Sequence, residues 1–282
     1  MSKLSMQCYK NAEPIEHIHL LDRAFHYGDG CFSTARIRNN QVELRHRHLA
    51  RLAHAKEHMH LTANLELINK TLADLKQKQG KLNGTLKIVL SRGEGQRGYS
   101  LPEHPADVWV FFYPQVQETL GAEYHYEIIQ SGVLEQTIGL TMPQLVGVKS
   151  LNRLEQVLLK QEADQAGWLE ALVTDVQGRV VEGVSSNCFI LINNTWITPQ
   201  LGYNGVHGVM RAEILSRMQQ HNIACEQRDI DAAEIANIQS LFFCNALSPM
   251  KIASHLQSQL LDVQPCIQLF KQLQLNQIHS YV

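Results

Sequence analysis

The sequence predicts an α+β chain organised in two domains, the second richer in strands. Three observations carry that expectation. Runs of β-branched and aromatic residues such as "TLKIVLSR" (85–92) and "DVWVFFYP" (107–114) read as buried strands. Stretches with apolar residues three and four apart, such as "RHLARLAHAKEHMHL" (47–61), read as helices. A polar break from Pro114 to Gly121 interrupts the pattern, so a domain is expected over 1–115, a linker at about 116–121 and a larger domain over 122–282.

The elements follow in order. "QVELR" (41–45) reads as a short strand after the "RNN" turn. The helix at 47–61 places Leu49, Leu52, Ala53 and Met59 on its apolar side, and a more polar helix follows at 64–80, closing at "QGKLNG". Between the two buried strands lies "GEGQRGYSLPEHP" (93–105), a glycine- and proline-rich loop of the length that usually carries function. The second half opens with strands near 124–131 and 137–141 ("TIGLT"). A helix runs from just after Ser150 to near Gly167. The strands "EALVTD", "RVVEGV", "NCFILI" and "TWITP" come next, joined by "VQGR" and "INNT", both good turn sequences. A helix at 210–222, a strand at 240–245 and a helix at 266–274 complete the pattern, with no internal repeat.

Composition excludes several functions. The chain has 282 residues, 44% of them hydrophobic, enough for a substantial core. Charged residues make up 18% and the formal net charge is −2, so the basic excess of a nucleic-acid or anionic-membrane binder is missing. No stretch approaches the ~20 apolar residues of a membrane helix. The N-terminal "MSKLSMQCYKNAEPIEH" lacks the apolar region of a secretory signal, which predicts a cytoplasmic protein. Six cysteines occur without CxxC spacing, several inside apolar strings, so they read as buried thiols and not as zinc ligands. His54 and His58 have metal-ligand spacing, but Glu57 is misplaced for an HExxH site. The histidines from His46 to His60 therefore read as a solvated helix face, and no metal is expected.

The segment "GVKSLNRLEQVLLKQEA" (147–163) holds the most telling residue. Lys149 stands just before the expected helix and after the apolar "LVGV". A helix N-terminus is electropositive and an apolar flank desolvates, and both disfavour an ammonium. A lysine kept partly neutral is a nucleophile and base, suited to Schiff-base chemistry, although a loop-edge lysine that reaches for water is the commoner fate. In "RVVEGVSSN" the period of two puts Val180, Glu182 and Val184 on one face. A carboxylate there needs a partner. Either an arginine or a protonated pyridine nitrogen, as in pyridoxal phosphate, would serve. "NGVHGVMRAEIL" (204–215) brings a glycine-bearing loop into a helix start, a place where free amides bind phosphate.

Taken together, "DRAFHYGDGCF", "HLARL", "GVKSLNRLEQVL", "EALVTDVQGRVVEGVSSNCF" and "HGVMR" resemble the fold-type IV pyridoxal-phosphate enzymes over roughly residues 20–250. That group holds branched-chain aminotransferases, D-amino acid aminotransferases and 4-amino-4-deoxychorismate lyases. The resemblance implies a D-amino acid aminotransferase-like fold with a smaller α/β N-terminal domain and a strand-rich, barrel-like C-terminal domain. It also implies bound pyridoxal 5'-phosphate and a homodimer acting on a small molecule. By the same resemblance Lys149 is the Schiff-base lysine, Glu182 faces the pyridine nitrogen and Arg51 binds phosphate. Val209 and Met210 offer phosphate-binding amides, and Val206 lies against the pyridine ring. Asn245 and Ala246 fall in a second phosphate loop, while Ser185, Ser186 and Asn187 line the pocket.

Within the group, "GDGCFSTARI", "SRGEGQRGYS", "KSLNRLEQVLLKQEA" and "NALSPM" resemble the lyase branch most. Phe32 stands where the D-amino acid aminotransferases carry a tyrosine that grips the substrate carboxylate. Arg97 and Tyr99 lie in the loop that binds that carboxylate in related transaminases, in part from the partner subunit, with Arg92 a weaker candidate. The implied reaction converts 4-amino-4-deoxychorismate to 4-aminobenzoate and pyruvate, a carbon–oxygen lyase step of folate biosynthesis. An aminotransferase on the same scaffold, or a non-catalytic relative, are the alternatives.

Overall fold

A computed structural model describes residues 6–115 and 123–278; the linker expected at 116–121 lies outside the described residues. The chain divides into two compact units. One is built within Met1–Ala122 and also takes in Val148–Asn152; the other comprises Glu123–Gly147 and Arg153–Ile278. The lysine segment therefore belongs to the unit made by the first part of the chain.

In the first unit six strands form one antiparallel sheet: β1 (Gln7–Lys10), β2 (Glu13–Pro14), β3 (Gly30–Arg38), β4 (Gln41–Val42), β5 (Gly84–Ser91) and β6 (Asp107–Pro114), in the order β2-β1-β6-β5-β3-β4. A short helix, α1 (Arg23–Tyr27), precedes β3. The helices α2 (Arg45–His58) and α3 (Glu66–Gln79) supply Leu52, Ala55, Ile68 and Leu75 to the core. These meet Ala35, Ile37, Leu86, Ile88, Leu90, Val110 and Phe112 from the sheet. The alternation along β3 is what the pleat dictates, with Ser33, Ala35 and Ile37 buried between half-buried neighbours.

Two expectations fail here. The strand in "QVELR" covers only Gln41 and Val42, with one further bond from the Glu43 amide to the Arg36 carbonyl, because Leu44 turns the chain left-handed (φ 50°) and Arg45 already begins α2. The histidines do not form a uniformly solvated face. His48 points inward and is only 2% exposed, while His46 and His54 are exposed. A helix of 3.6-residue period cannot keep every member of so long a run on the outside.

The second unit carries a seven-stranded mixed sheet. Its strands are β7 (Glu127–Ser131), β10 (Asn187–Ile192), β11 (Thr195–Pro199), β12 (Cys225–Arg228), β13 (Ser240–Asn245), β14 (Ser248–Leu256) and β15 (Gln259–Leu260). The order is β12-β11-β10-β13-β14-β15, with β7 parallel to β14. A separate pair joins β8 (Leu172–Thr174) to β9 (Val180–Gly183). The helices are α4 (Leu154–Gln165), α5 (Val209–Gln220) and α6 (Gln264–Gln272). A core of Ile190, Ile197, Leu241, Phe243 and Ala253 fills this unit, and Phe189 and Phe242 stack at 4.9 Å.

Three differences matter for function. "TIGLT" makes one isolated bridge, Ile138 to Asp175, and no strand. All of β9 is buried, and Val180 and Val184 pack into different clusters, so the period of two does not carry past Gly183. The helix after the lysine begins at Leu154, five residues beyond Lys149. A helix dipole acts within its first turn, and Lys149 therefore does not occupy the N-terminal position that the sequence suggests.

Removing the stacked ring at the centre of the second unit tests its core. We expect Phe242→Ala, fully buried against Phe189 and Trp196, to lower unfolding stability by about 3–5 kcal/mol in denaturant titrations.

Candidate active site

Lys149 is held by backbone pairing in the first unit. Its carbonyl accepts from the Phe32 amide at 2.9 Å, and the Leu151 amide donates to the Gly30 carbonyl at 2.9 Å. Ser150 bridges Cys31. Val148, 4% exposed, sits in the core with Leu52, Ile88 and Leu90 and anchors the segment. Gly30 allows the approach, since a Cβ there would run into the Leu90 carbonyl and the Leu151 side chain. The half-buried Lys149 projects over the Phe32 ring, Nζ 4.9 Å from its centroid, and Lys87 reaches the same ring at 5.0 Å.

Arg51, on α2, is half-buried, and its Nη2 donates to Ser33 Oγ at 2.5 Å. Ser33 in turn shares a 2.7 Å hydrogen bond with His48 Nδ1. Burial, followed by the nearby charges of Arg51 and His46, pushes the His48 imidazole down to about 3, so it is neutral.

The loop at 93–105 is pinned from below by Arg23, a residue without a sequence signal of its own. Its Nη1 donates to the carbonyls of Gly98 (2.9 Å) and Ser100 (3.2 Å), and Nε pairs with Asp29 at 2.8 Å. Arg97 and Tyr99 stand exposed on this loop, Tyr99 at 84%, with its ring 5.4 Å from Tyr27. Arg92 is committed elsewhere: Nε binds Asp29, and Nη1 and Nη2 donate to the carbonyls of His60 and Met59. The weaker candidate is thus a structural pin.

In the second unit Glu182, 7% exposed, accepts from Asn187 Nδ2 (3.1 Å) and from the Val206 amide (3.0 Å), both at Oε2. Asn187 also donates to the Val206 carbonyl at 2.9 Å, which ties the carboxylate and the glycine loop into one frame. Gly208, the cap of α5, lies against Asn187 Oδ1 so closely that a Cβ would overlap it. No side chain caps this helix, and its start carries the Val209 and Met210 amides, the side chains of both being buried. Arg211 fixes the helix to β11 through Thr198 Oγ1 (3.1 Å) and the Pro199 carbonyl (2.8 Å).

A second buried carboxylate, Glu170, organises the neighbouring loops. Ser185 donates through both its amide (3.1 Å) and its Oγ (2.5 Å), Ser186 Oγ donates at 2.6 Å, and Lys251 Nζ lies 3.6 Å away. Asn245 Nδ2 donates to Ser186 Oγ at 3.1 Å, and its Oδ1 accepts from the Leu247 and Ser248 amides, which shapes the turn carrying Ala246. Glu170 has no local motif; only its position across from the serines reveals it.

Each unit, taken by itself, carries groups of the kind that a phosphorylated pyridine needs. The second unit offers a buried carboxylate that accepts from the Asn187 side chain and the Val206 amide, and a helix start without a side-chain cap. The first unit offers a lysine over an apolar ring and a fixed arginine. Among the described residues no group of three or more His, Cys, Asp or Glu is placed to hold a metal, and no helix is long and apolar enough to cross a membrane.

Residues 30–255 match the model of the family described as amino-transferase class IV. The chain is 32% identical over 251 residues to the aminodeoxychorismate lyase of Vibrio harveyi, covering 84% of this chain and 86% of the relative. It is 25% identical over 235 residues to the D-alanine aminotransferase of Bacillus licheniformis, covering 80% and 78%. The crystal structure of 4-amino-4-deoxychorismate lyase from Pseudomonas aeruginosa superimposes with a TM-score of 0.82 at 32% identity, covering 95% of this chain and 98% of that one.

Gly208 gives a test of the frame independent of any ligand. With φ at −72° its backbone suits any residue, so Gly208→Ala acts only through Asn187. We expect it to cost about 1–3 kcal/mol in thermal or denaturant unfolding. In an Asn187→Ala background the same change is expected to be nearly neutral.

Proposed function

This chain belongs to the class IV aminotransferase family, whose enzymes use pyridoxal 5'-phosphate, and we propose that it converts 4-amino-4-deoxychorismate to 4-aminobenzoate and pyruvate. The observation that carries the reading is its 32% identity to the Vibrio harveyi lyase across most of both chains, against 25% to the D-alanine aminotransferase. The chemistry is a carbon–oxygen elimination: the enolpyruvyl ether leaves as pyruvate and the six-membered ring becomes aromatic, which drives the step.

Bound pyridoxal phosphate supplies an aldehyde for imine formation and a ring that accepts electrons. The chain's residues do the rest. Lys149 would anchor the cofactor, take the proton from the amine-bearing carbon of the substrate, and return to its anchoring bond when product leaves. Glu182, held by Asn187 and Val206, would keep a proton on the pyridine nitrogen. Arg51 and the Val209 and Met210 amides would hold the phosphate, with Asn245 and Ala246 at its second loop. Val206 would lie against the ring, and Ser185, Ser186 and Asn187 would line the pocket. Phe32, Arg97 and Tyr99 would contact the substrate. We further propose a cytoplasmic homodimer, with most cofactor contacts drawn from 122–282.

The D-alanine aminotransferase relatives make transamination the competing activity. Pyruvate release from aminodeoxychorismate, measured beside pyruvate-dependent loss of the D-alanine amino group, separates the two; amino transfer without pyruvate release would overturn the lyase reading. We expect Lys149→Ala to lose the visible cofactor absorbance and about a thousandfold or more of the elimination rate. Glu182→Gln should bind cofactor but turn over about a hundredfold more slowly. Full activity in Lys149→Ala would end this assignment.

A further inference from the structure

We propose that Ser33 and His48 form a positioning relay that sets the Arg51 guanidinium for a phosphate, an inference that rests on the phosphate-binding reading of Arg51. The relay follows from donor counting. An arginine nitrogen can only donate, so Ser33 Oγ must accept from Arg51 Nη2. The one proton of the Ser33 hydroxyl then has His48 Nδ1 as its acceptor, 2.7 Å away. That requires Nδ1 to be bare, which places the imidazole proton on Nε2. Burial keeps His48 neutral, in agreement with this tautomer.

The placement is built by the fold. Ser33 lies on β3, where the pleat turns it to the helical face, and is fully buried. His48 and Arg51 stand three apart on α2 and so share that helix's sheet-facing side. Two side chains of α2 thus converge on one hydroxyl of the strand packed against it. Arginine has many rotamers, and fixing one nitrogen of its planar fork orients the remaining donors as a set. A serine held at both ends by hydrogen bonds does this better than a lone hydroxyl, which rotates freely.

The test uses cofactor affinity. Apoenzyme is titrated with pyridoxal 5'-phosphate and, separately, with pyridoxal, which lacks the phosphate. Ser33→Ala is expected to raise the Kd for pyridoxal phosphate about tenfold and to change the Kd for pyridoxal by no more than about twofold. Ser33→Thr, which keeps a hydroxyl, should recover most of the loss. His48→Gln should fall between them. Ser33→Ala combined with Arg51→Lys should be no weaker than Arg51→Lys alone. Parallel weakening of both ligands in Ser33→Ala, or weakening of neither, overturns the relay. If Arg51→Lys leaves the preference for the phosphorylated ligand intact, the reading of Arg51 fails and the relay with it. If Arg51→Lys lowers the preference for the phosphorylated ligand and Ser33→Ala leaves it unchanged, only the relay fails.

Discussion

Two backbone hydrogen bonds fix the position of Lys149. Phe32 N–H to the Lys149 carbonyl and Leu151 N–H to the Gly30 carbonyl graft residues 148–152 onto the start of β3. Main-chain pairing of this kind does not depend on side-chain rotamers, so the lysine's Cα is set by the sheet. Val148, buried with Leu52 and Leu90, locks the register from one side, and Gly30 makes room from the other. The aromatic ring that Lys149 crosses, Phe32, sits on the same strand whose amide holds its backbone. One short pairing thereby specifies both where the amine begins and what it lies against.

The second unit solves a different problem, that of keeping carboxylates inside without stranding them. Glu182 and Glu170 are both nearly inaccessible, and each is met by several N–H or O–H donors. An unpaired buried carboxylate costs several kcal/mol, so such groups persist only where donors converge. The donors also carry geometry outward. Asn187 links Glu182 to the glycine loop, and Ser186 links Glu170 to the turn at Asn245. Two anions therefore organise three loops, and a disturbance at Gly208 or at Ser186 is felt at a carboxylate several residues away.

Much of this was legible. The strands at 85–92 and 107–114, the helices near 64–80 and 210–222, and the family resemblance carried by the short motifs all appear as expected. The physical account of the lysine was not. A helix was expected to start beside it, whereas "SLNR" remains non-helical and α4 starts at Leu154. Apolar periodicity marks a helix's buried face but says little about its first residue, which caps and tertiary contacts decide. His48 escaped for a related reason. Its neighbours His46 and His54 face water, and only the strand beneath α2 shows which histidine must turn inward.

By itself the sequence determined the class of the fold, the order of most elements, the family and the residue types that its chemistry needs. Those are local or collective properties, readable from period, composition and motif. Only the tertiary structure decided that residues 148–152 join the first unit, that Glu182 is met by an asparagine and a backbone amide, and that Ser33 stands between His48 and Arg51. Each of these brings together residues far apart in the chain or on different elements. Hydrogen-bond partners at such separation are chosen by packing, and one sequence carries no local trace of the choice.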